Sequence, residues 1–380
     1  MLTRRSFLVT SGAAIGGLSV SRTAPGDAAV PVHPARSNAA DSRETVWHDV
    51  RTWGVEGKGW SDTERWFDRL PGSARGVVPD AVWNLSRHSA GMLTGFLSDA
   101  DAIQVRYSLL SDRLAMSHMP ATGVSGIDLY GRDGDRWRWA AVFRPVAQQN
   151  EGALISEVDP GEREWRLYLP LYNGVESLEV GVPESAAFRP VPPRQSRPVV
   201  FYGTSILHGA CASRPGMAWP SIVGRRLDRP TINLGFSGNG RMEIEVARLL
   251  AELDAAAYVI DCAPNMTSDL IRERAGPLVE TIRAGRPNAP IVLVEDRPYG
   301  YGWVRRSARE RNAGNRAALR EVYGELSAAG VGGIRYVESD ALLGEEYEEA
   351  MTDGSHPNDM GMTRYANALT PVLGEALAGG

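Results

Sequence analysis

Lysine is almost missing from this chain. Lys58 is the single lysine among 41 Lys+Arg residues, so arginine supplies the other 40. That bias is a genome-composition effect before it is a functional signal. The net charge of -5 brings no concentrated basic surface, which argues against nucleic acid or an anionic membrane as partner. Cysteine is scarce too, with only Cys211 and Cys262. Two cysteines cannot build a disulfide framework, and with six scattered histidines they give no zinc-ligand spacing. No cofactor motif is present, so neither a cofactor nor a metal is expected. Long apolar runs are absent after the N-terminus, which excludes a membrane-spanning helix in the body of the chain.

What is present begins with an address. Thr3-Arg4-Arg5-Ser6-Phe7-Leu8 is a twin-arginine pattern, followed by a weakly apolar stretch from Leu8 to Val20. That stretch falls short of the roughly 20 apolar residues that span a bilayer. A charged start, short apolar region and small-residue zone around Ala28 describe an export signal. Residues 1–40 are therefore expected to be a leader, and the mature protein to be periplasmic or extracellular, free of the membrane. In such a compartment Cys211 and Cys262 are free to pair, although two buried thiols are an equal alternative.

A length of 380 residues fits two domains. Residues 41–193 read as short β-strands, with β-rich runs at Ile103–Tyr107, Trp137–Val142 and Trp165–Leu169. Asp133-Gly134 and Asn173-Gly174 are turn signals. The expected architecture is an antiparallel β-sandwich domain. Eight of the ten tryptophans lie in this half, where filling the core is their commoner role. The flexible segment Glu56-Gly57-Lys58-Gly59-Trp60 is a candidate to overhang a site. The proline-bearing stretch Val191–Arg197 reads as a linker.

From 198 to 380 the pattern changes. Apolar runs at Val199–Tyr202, Thr231–Leu234, Tyr258–Asp261, Ile291–Glu295 and Ile334–Val337 alternate with helical stretches. The helices are expected near Met217–Leu227, Glu243–Leu253, Leu270–Ala284, Ala308–Ala329 and Met360–Leu377. Alternation of this kind gives an α/β fold with a parallel sheet covered on both faces. Ligands then bind beyond the carboxyl ends of the strands.

Those ends carry chemistry. Gly203-Thr204-Ser205 follows the first strand, Gly235-Phe236-Ser237-Gly238-Asn239-Gly240 the second, and Cys262-Ala263-Pro264-Asn265 the third. Asp353-Gly354-Ser355-His356 lies near the C-terminus. A hydroxyl nucleophile needs a base and the base needs an orienter, which an Asp three residues before a His supplies within one turn of chain. Ser205, His356 and Asp353 are the catalytic candidates. The N–H groups of Ser205 and Gly238 and the amide of Asn265 are the candidate oxyanion donors. His208, Arg241 and Glu295 are candidates for substrate contact, with structural roles as the alternative. Ser205 could also simply cap its helix.

These four blocks resemble those of the SGNH (GDSL-like) hydrolases, with Ser205, Gly238, Asn265 and His356 as the four residues and Asp353 as the acid partner. Gly126-Ile127-Asp128-Leu129-Tyr130, with Ser213-Arg214-Pro215-Gly216 after the nucleophile, is similar to a subgroup with an N-terminal Gly-x-Asp-Leu-Tyr sandwich domain. Thr204 stands where the GDSL name places Asp. The resemblance covers residues 45 to 378. It implies a flavodoxin-like three-layer hydrolase domain preceded by an antiparallel β-sandwich. It also implies hydrolysis of O-acyl esters on carbohydrates, acetyl first. A lipase or aryl esterase is the nearest rival, but no apolar lid or amphipathic membrane helix is evident. A glycosidase would need two carboxylates about 5–9 Å apart, such as Asp353 with Glu295 or Asp296. A non-catalytic carbohydrate-binding protein is the remaining alternative.

Overall fold

The computed structural model describes residues 44–379, which lie in one compact unit. The twin-arginine segment and the region around Ala28 lie outside the described residues. The first half contains β1 (Thr45–Asp49), helix α1 (Asp80–Leu85), β2 (Leu93–Ser98), β3 (Ile103–Leu109) and the short helix α2 (Ala121–Val124). It continues with β4 (Asp128–Asp133), β5 (Arg136–Val142), β6 (Gln149–Ile155), β7 (Arg163–Tyr168), β8 (Val175–Pro183) and β9 (Phe188–Val191). They form two antiparallel sheets, ordered β1-β8-β3-β6 and β5-β4-β7-β2-β9. In β3 the residues Ile103, Val105, Tyr107 and Leu109 are buried while Gln104, Arg106 and Ser108 are half-exposed, the period of two that a one-sided sheet imposes. Their inner faces meet in one core that includes Phe96, Leu129, Trp165, Leu167, Leu178 and Val180. This is a β-sandwich.

The two turn signals have different fates. Asp133 pairs with Arg136, so Gly134 and Asp135 form a two-residue hairpin with Gly134 at φ 56°. Asn173-Gly174 instead carries the chain from β7 in one sheet to β8 in the other. Asn173 is buried there, accepting from the Ser111 N–H at 3.1 Å and donating to the Ser111 carbonyl at 2.9 Å. The amide satisfies a crossing between sheets.

The second half runs β10 (Val199–Gly203), α3 (Ser205–His208), α4 (Trp219–Arg226), β11 (Thr231–Gly235), α5 (Ile244–Glu252) and β12 (Ala257–Asp261). It goes on through α6 (Ser268–Gly285), β13 (Ile291–Val294), α7 (Arg306–Ala328), β14 (Ile334–Val337), α8 (Ser339–Leu343) and α9 (Asp359–Ala378). The sheet is parallel, ordered β11-β10-β12-β13-β14. Side chains alternate across it. Val200, Tyr202 and Ile260 pack with α5, α6 and α7 residues such as Leu250, Leu278 and Leu319. Val199, Phe201 and Val259 pack with Trp219, Tyr365 and Leu369 of α4 and α9. Helices therefore cover both faces, giving three layers. The chain winds first to one side of β10 and then to the other, so a topological switch point lies at the carboxyl end of β10.

Cys211 and Cys262 are both buried free thiols, and they belong to the clusters on opposite faces of the sheet. The segment Glu56–Trp60 does not overhang the sheet's carboxyl end. The Trp60 indole donates to Glu252 at 2.9 Å at the close of α5, and Gly59 packs on Leu253. The proline-bearing stretch after β9 is pinned rather than loose: Arg194 makes a bidentate pair with Glu56, at 2.8 and 2.7 Å.

Two buried polar groups tie the halves together. Arg69 donates to the carbonyls of Asn233 and Gly235, both at 2.9 Å, at the end of β11. Asp128 of the Gly-x-Asp-Leu-Tyr segment accepts from the Gly216 N–H at 2.8 Å, the Arg214 guanidinium at 3.2 Å and the Trp139 indole at 3.0 Å. Tyr130 packs so closely on Gly216 that a Cβ there would lie 2.3 Å from its ring. The motif in the sandwich therefore grips the segment that follows the nucleophile candidate.

Candidate active site

Each strand end is shaped by a close approach. A Cβ on Gly203 would lie 2.3 Å from the Asp261 carbonyl, and one on Gly240 2.0 Å from the Gly203 carbonyl. Gly240 also sits at φ 66°, so only glycine lets the second loop fold back onto the first. After Gly203 the chain enters α3, and Thr204 is its N-cap, its hydroxyl accepting from the Ile206 N–H at 3.3 Å. Thr is a suitable cap, which accounts for Thr204 where an Asp is named. The capping role expected as the alternative for Ser205 thus falls to its neighbour. Ser205 is the first helical residue, whose N–H has no carbonyl partner within the helix.

The Ser205 hydroxyl lies 2.9 Å from His356 Nε2, and His356 Nδ1 lies 2.7 Å from Asp353 Oδ2. The other Asp353 oxygen accepts from the backbone N–H groups of Ser355 and His356, at 2.9 and 2.8 Å. Partial burial alone would raise this carboxyl. The imidazole and the two N–H groups outweigh it and hold Asp353 down at about 2. An ionised Asp353 selects the imidazole tautomer with its proton on Nδ1, leaving Nε2 as acceptor for the Ser205 O–H.

Gly238 sits at φ 70° with open space where a Cβ would be. The Asn265 amide donates one hydrogen to the Asn239 carbonyl at 2.6 Å, which ties it to the glycine loop and leaves its second hydrogen free. Behind it, Asn315 donates to the Ala263 and Met266 carbonyls at 3.3 and 3.1 Å. Arg311 donates to those of Pro264 and Met266, both at 3.0 Å.

Two candidates for substrate contact do not reach the site. His208 is fully buried, bonded to the Leu171 carbonyl at 2.7 Å and stacked on Tyr172 at 4.1 Å. Desolvation holds it well below the usual imidazole range. Glu295 is buried among Arg316, Arg320, the Tyr336 hydroxyl and the Ser339 N–H. It is a structural ion-pair hub, because a buried carboxylate keeps its charge only among such partners. Arg241 stays at the rim, donating to the Gly238 carbonyl at 2.8 Å.

The structure adds residues that no sequence pattern marked. Arg297 is fully buried and grips the turn between Asp353 and His356, donating to the Ser355 carbonyl at 3.1 and 2.9 Å and to its hydroxyl at 2.7 Å. It pairs with Asp296 at 2.7 Å, and Asp296 accepts from Asn315 at 3.3 Å. One buried network thus supports both the Asp353–His356 turn and the Asn265 turn. Asp359, opening α9, accepts from Ser213 through its N–H at 2.9 Å and hydroxyl at 2.5 Å. Asp261, ending β12, is buried with neither oxygen hydrogen-bonded. Burial, with Asp296 adding and Arg297 opposing, pushes it up to about 7.

The GDSL-like Lipase/Acylhydrolase family matches residues 196–374, and the N-terminal GxDLY region of SGNH-type esterases matches 45–188. No curated protein matches the chain. A crystal structure described as a GDSL-like lipase from Bacteroides ovatus is 32% identical, covering 88% of this chain and 98% of that one, with a TM-score of 0.84. Two more distant structures share the fold. A salicylyl-acyltransferase from a tetracycline biosynthetic pathway is 19% identical, covering 88% and 98% of the two chains, with a TM-score of 0.67. A family two carbohydrate esterase from Cellvibrio japonicus is 14% identical, covering 88% and 99%, with a TM-score of 0.60. The chain belongs to the GDSL-like (SGNH) lipase/acylhydrolase family, with the GxDLY N-terminal region, and is a carboxylic ester hydrolase.

Proposed function

We propose that this protein is an exported serine esterase that removes O-acyl groups, acetyl first, from carbohydrates, with Ser205, His356 and Asp353 as its triad. The observation that carries the reading is the continuous hydrogen-bonded chain from the Ser205 hydroxyl through both nitrogens of His356 to Asp353. As the Ser205 Oγ bonds to the ester carbonyl carbon, its proton passes to His356 Nε2, and Asp353 stabilises the imidazolium. The oxyanion accepts from the N–H groups of Ser205 and Gly238 and the free amide hydrogen of Asn265. Collapse expels the sugar oxygen, which takes the proton from Nε2. Water then attacks the acyl-enzyme, with His356 again as base, releasing the carboxylic acid and restoring Ser205.

Sugar esters are favoured by fold-level relatives described as carbohydrate esterases, among them an acetyl xylan esterase from Butyrivibrio proteoclasticus at 12% identity and a TM-score of 0.57. Among the described residues no helix is long and apolar enough to cross a membrane. The glycosidase alternative loses its carboxylates, because Glu295 and Asp296 are buried in ion pairs. The test is turnover of p-nitrophenyl esters and acetylated sugars by wild type beside Ser205→Ala. Acetate release from sugars that vanishes in the variant supports the reading. Rates that climb with acyl length point to a lipase, and undiminished turnover by the variant removes Ser205 as nucleophile.

A further inference from the structure

Two side chains beside the triad have no part in that chemistry. His118 occupies a two-residue hairpin turn closed by the Met116–Met119 pair, whose backbone bonds are 3.0 and 3.1 Å. The turn comes from the sandwich half and aims an imidazole at the site, its ring 5.6 Å from that of His356. Cys211 lies three residues past α3 and is held at φ 68°. That left-handed conformation is unfavourable for a side chain with a Cβ, yet it directs the thiol toward the Thr352–Asp353 turn. One ligand atom from each of His118, Cys211, Asp353 and His356 lies within 4.8 Å of all the others.

We propose that these four residues form a binding site for a zinc-class divalent cation, and that occupancy reversibly silences the esterase. Two imidazole nitrogens, a thiolate sulfur and a carboxylate oxygen make a donor set typical of tetrahedral zinc, with bonds of about 2.0–2.3 Å. Ligand atoms around such an ion sit about 3.3–3.7 Å apart, so the widest separation in the cluster, at most 4.8 Å, closes by about 1.1–1.5 Å. The hairpin turn supplies that movement more readily than the buried elements. On binding, the Cys211 thiol gives its proton to solvent and its sulfur bonds the metal. Whichever His356 nitrogen the ion takes is lost to the triad. At Nε2 it removes the acceptor for the Ser205 proton, and at Nδ1 it displaces Asp353. The ligands come from three separate stretches of chain, which is why no Cys/His spacing announces the site.

Silencing rests on the triad reading above, whereas binding does not, and the experiment separates them. Full-length Ser205→Ala protein is titrated with Co²⁺ and with Zn²⁺, so that binding is read independently of turnover. The expected result is one ion per chain and a thiolate-to-cobalt charge-transfer band in the near ultraviolet, lost in Cys211→Ala. In parallel, p-nitrophenyl acetate hydrolysis by wild type is measured against Zn²⁺ concentration. Inhibition reversed by chelator is expected, with the half-inhibitory concentration rising roughly tenfold or more in His118→Ala and in Cys211→Ala. Metal-free turnover of both variants stays near wild type. His118 is half-exposed, so its variant decides the matter if Cys211→Ala fails to fold. Absence of the cobalt–thiolate band overturns the site. Equal zinc sensitivity in wild type and His118→Ala overturns the four-ligand arrangement, because the ion is then held without His118. Binding without inhibition overturns the silencing and, with it, the role of His356 as base.

Discussion

The sandwich half and the parallel-sheet half use the same residue types for opposite purposes, and Asp128 and Asp353 show it most directly. Both carboxylates accept several N–H bonds, Asp128 mainly from the other half of the chain and Asp353 from within its own turn. Asp128 is fully buried, and desolvation raises it despite the neighbouring Arg214. Asp353 is about a third exposed, and its bonds win, holding it at about 2. Burial makes the first a joint between halves. Partial exposure leaves the second ionised beside the His356 imidazole. The chemistry of a carboxylate is therefore set by the residual access of water as much as by its partners.

Breaking this contrast begins at the proposed nucleophile. Ser205→Ala is expected to lower ester turnover by about 10⁴-fold or more while leaving the fold intact, checked by steady-state kinetics beside circular dichroism. In the sandwich, Asp128→Ala should instead act through stability. It leaves Arg214 and the Gly216 N–H without their buried acceptor, a loss of about 3–5 kcal/mol, measurable by denaturant unfolding. If Asp128→Ala cost turnover but no stability, the contrast between the two carboxylates would collapse. Asn265→Ala is expected to cut kcat by about 10²–10³ with little change in KM. Arg297→Met should reduce kcat by roughly 10–100-fold, because the Asp353–His356 turn loses three bonds that hold its geometry. A positioning role also predicts a displaced pH–rate profile, which a loss confined to stability would leave in place.

A further effect concerns pH. Asp261 has a folded value raised to about 7, above the ordinary carboxylate value of 3.8. A raised acid binds more protons folded than unfolded, so its contribution to stability diminishes as pH climbs from about 4 to 7. Asp261→Asn removes that loss and should stabilise the protein at pH 8 by roughly 1–4 kcal/mol, with little difference at pH 4. Thermal unfolding of both proteins across that range checks it. Equal shifts at both pH values would mean that the residue is not protonated on folding.

Much of the architecture was legible because it follows from local periodicity. Helices expected near Leu270–Ala284 and Ala308–Ala329 stand at Ser268–Gly285 and Arg306–Ala328, and the five strands of the parallel sheet lie where apolar runs placed them. Asn173-Gly174 shows the limit: its composition says turn, but only packing decides that the turn crosses between sheets. Glu295 and His208 show another. Both stand close in sequence to strand ends or to the nucleophile candidate, and both turn inward, because side-chain direction depends on neighbours that sequence proximity does not reveal.

What the sequence by itself determined is the order of elements and the residues stationed at the carboxyl ends of the strands, since strand and helix periods and glycine turns are local properties. The tertiary structure alone decided that Thr204 caps the helix and frees Ser205, that Arg297 braces the Asp353–His356 turn, and that the GxDLY segment grips Gly216. It also brought His118 and Cys211 to Asp353 and His356 from distant parts of the chain. Those facts depend on which groups lose access to water and which buried donors and acceptors meet, and both are settled only when the layers pack.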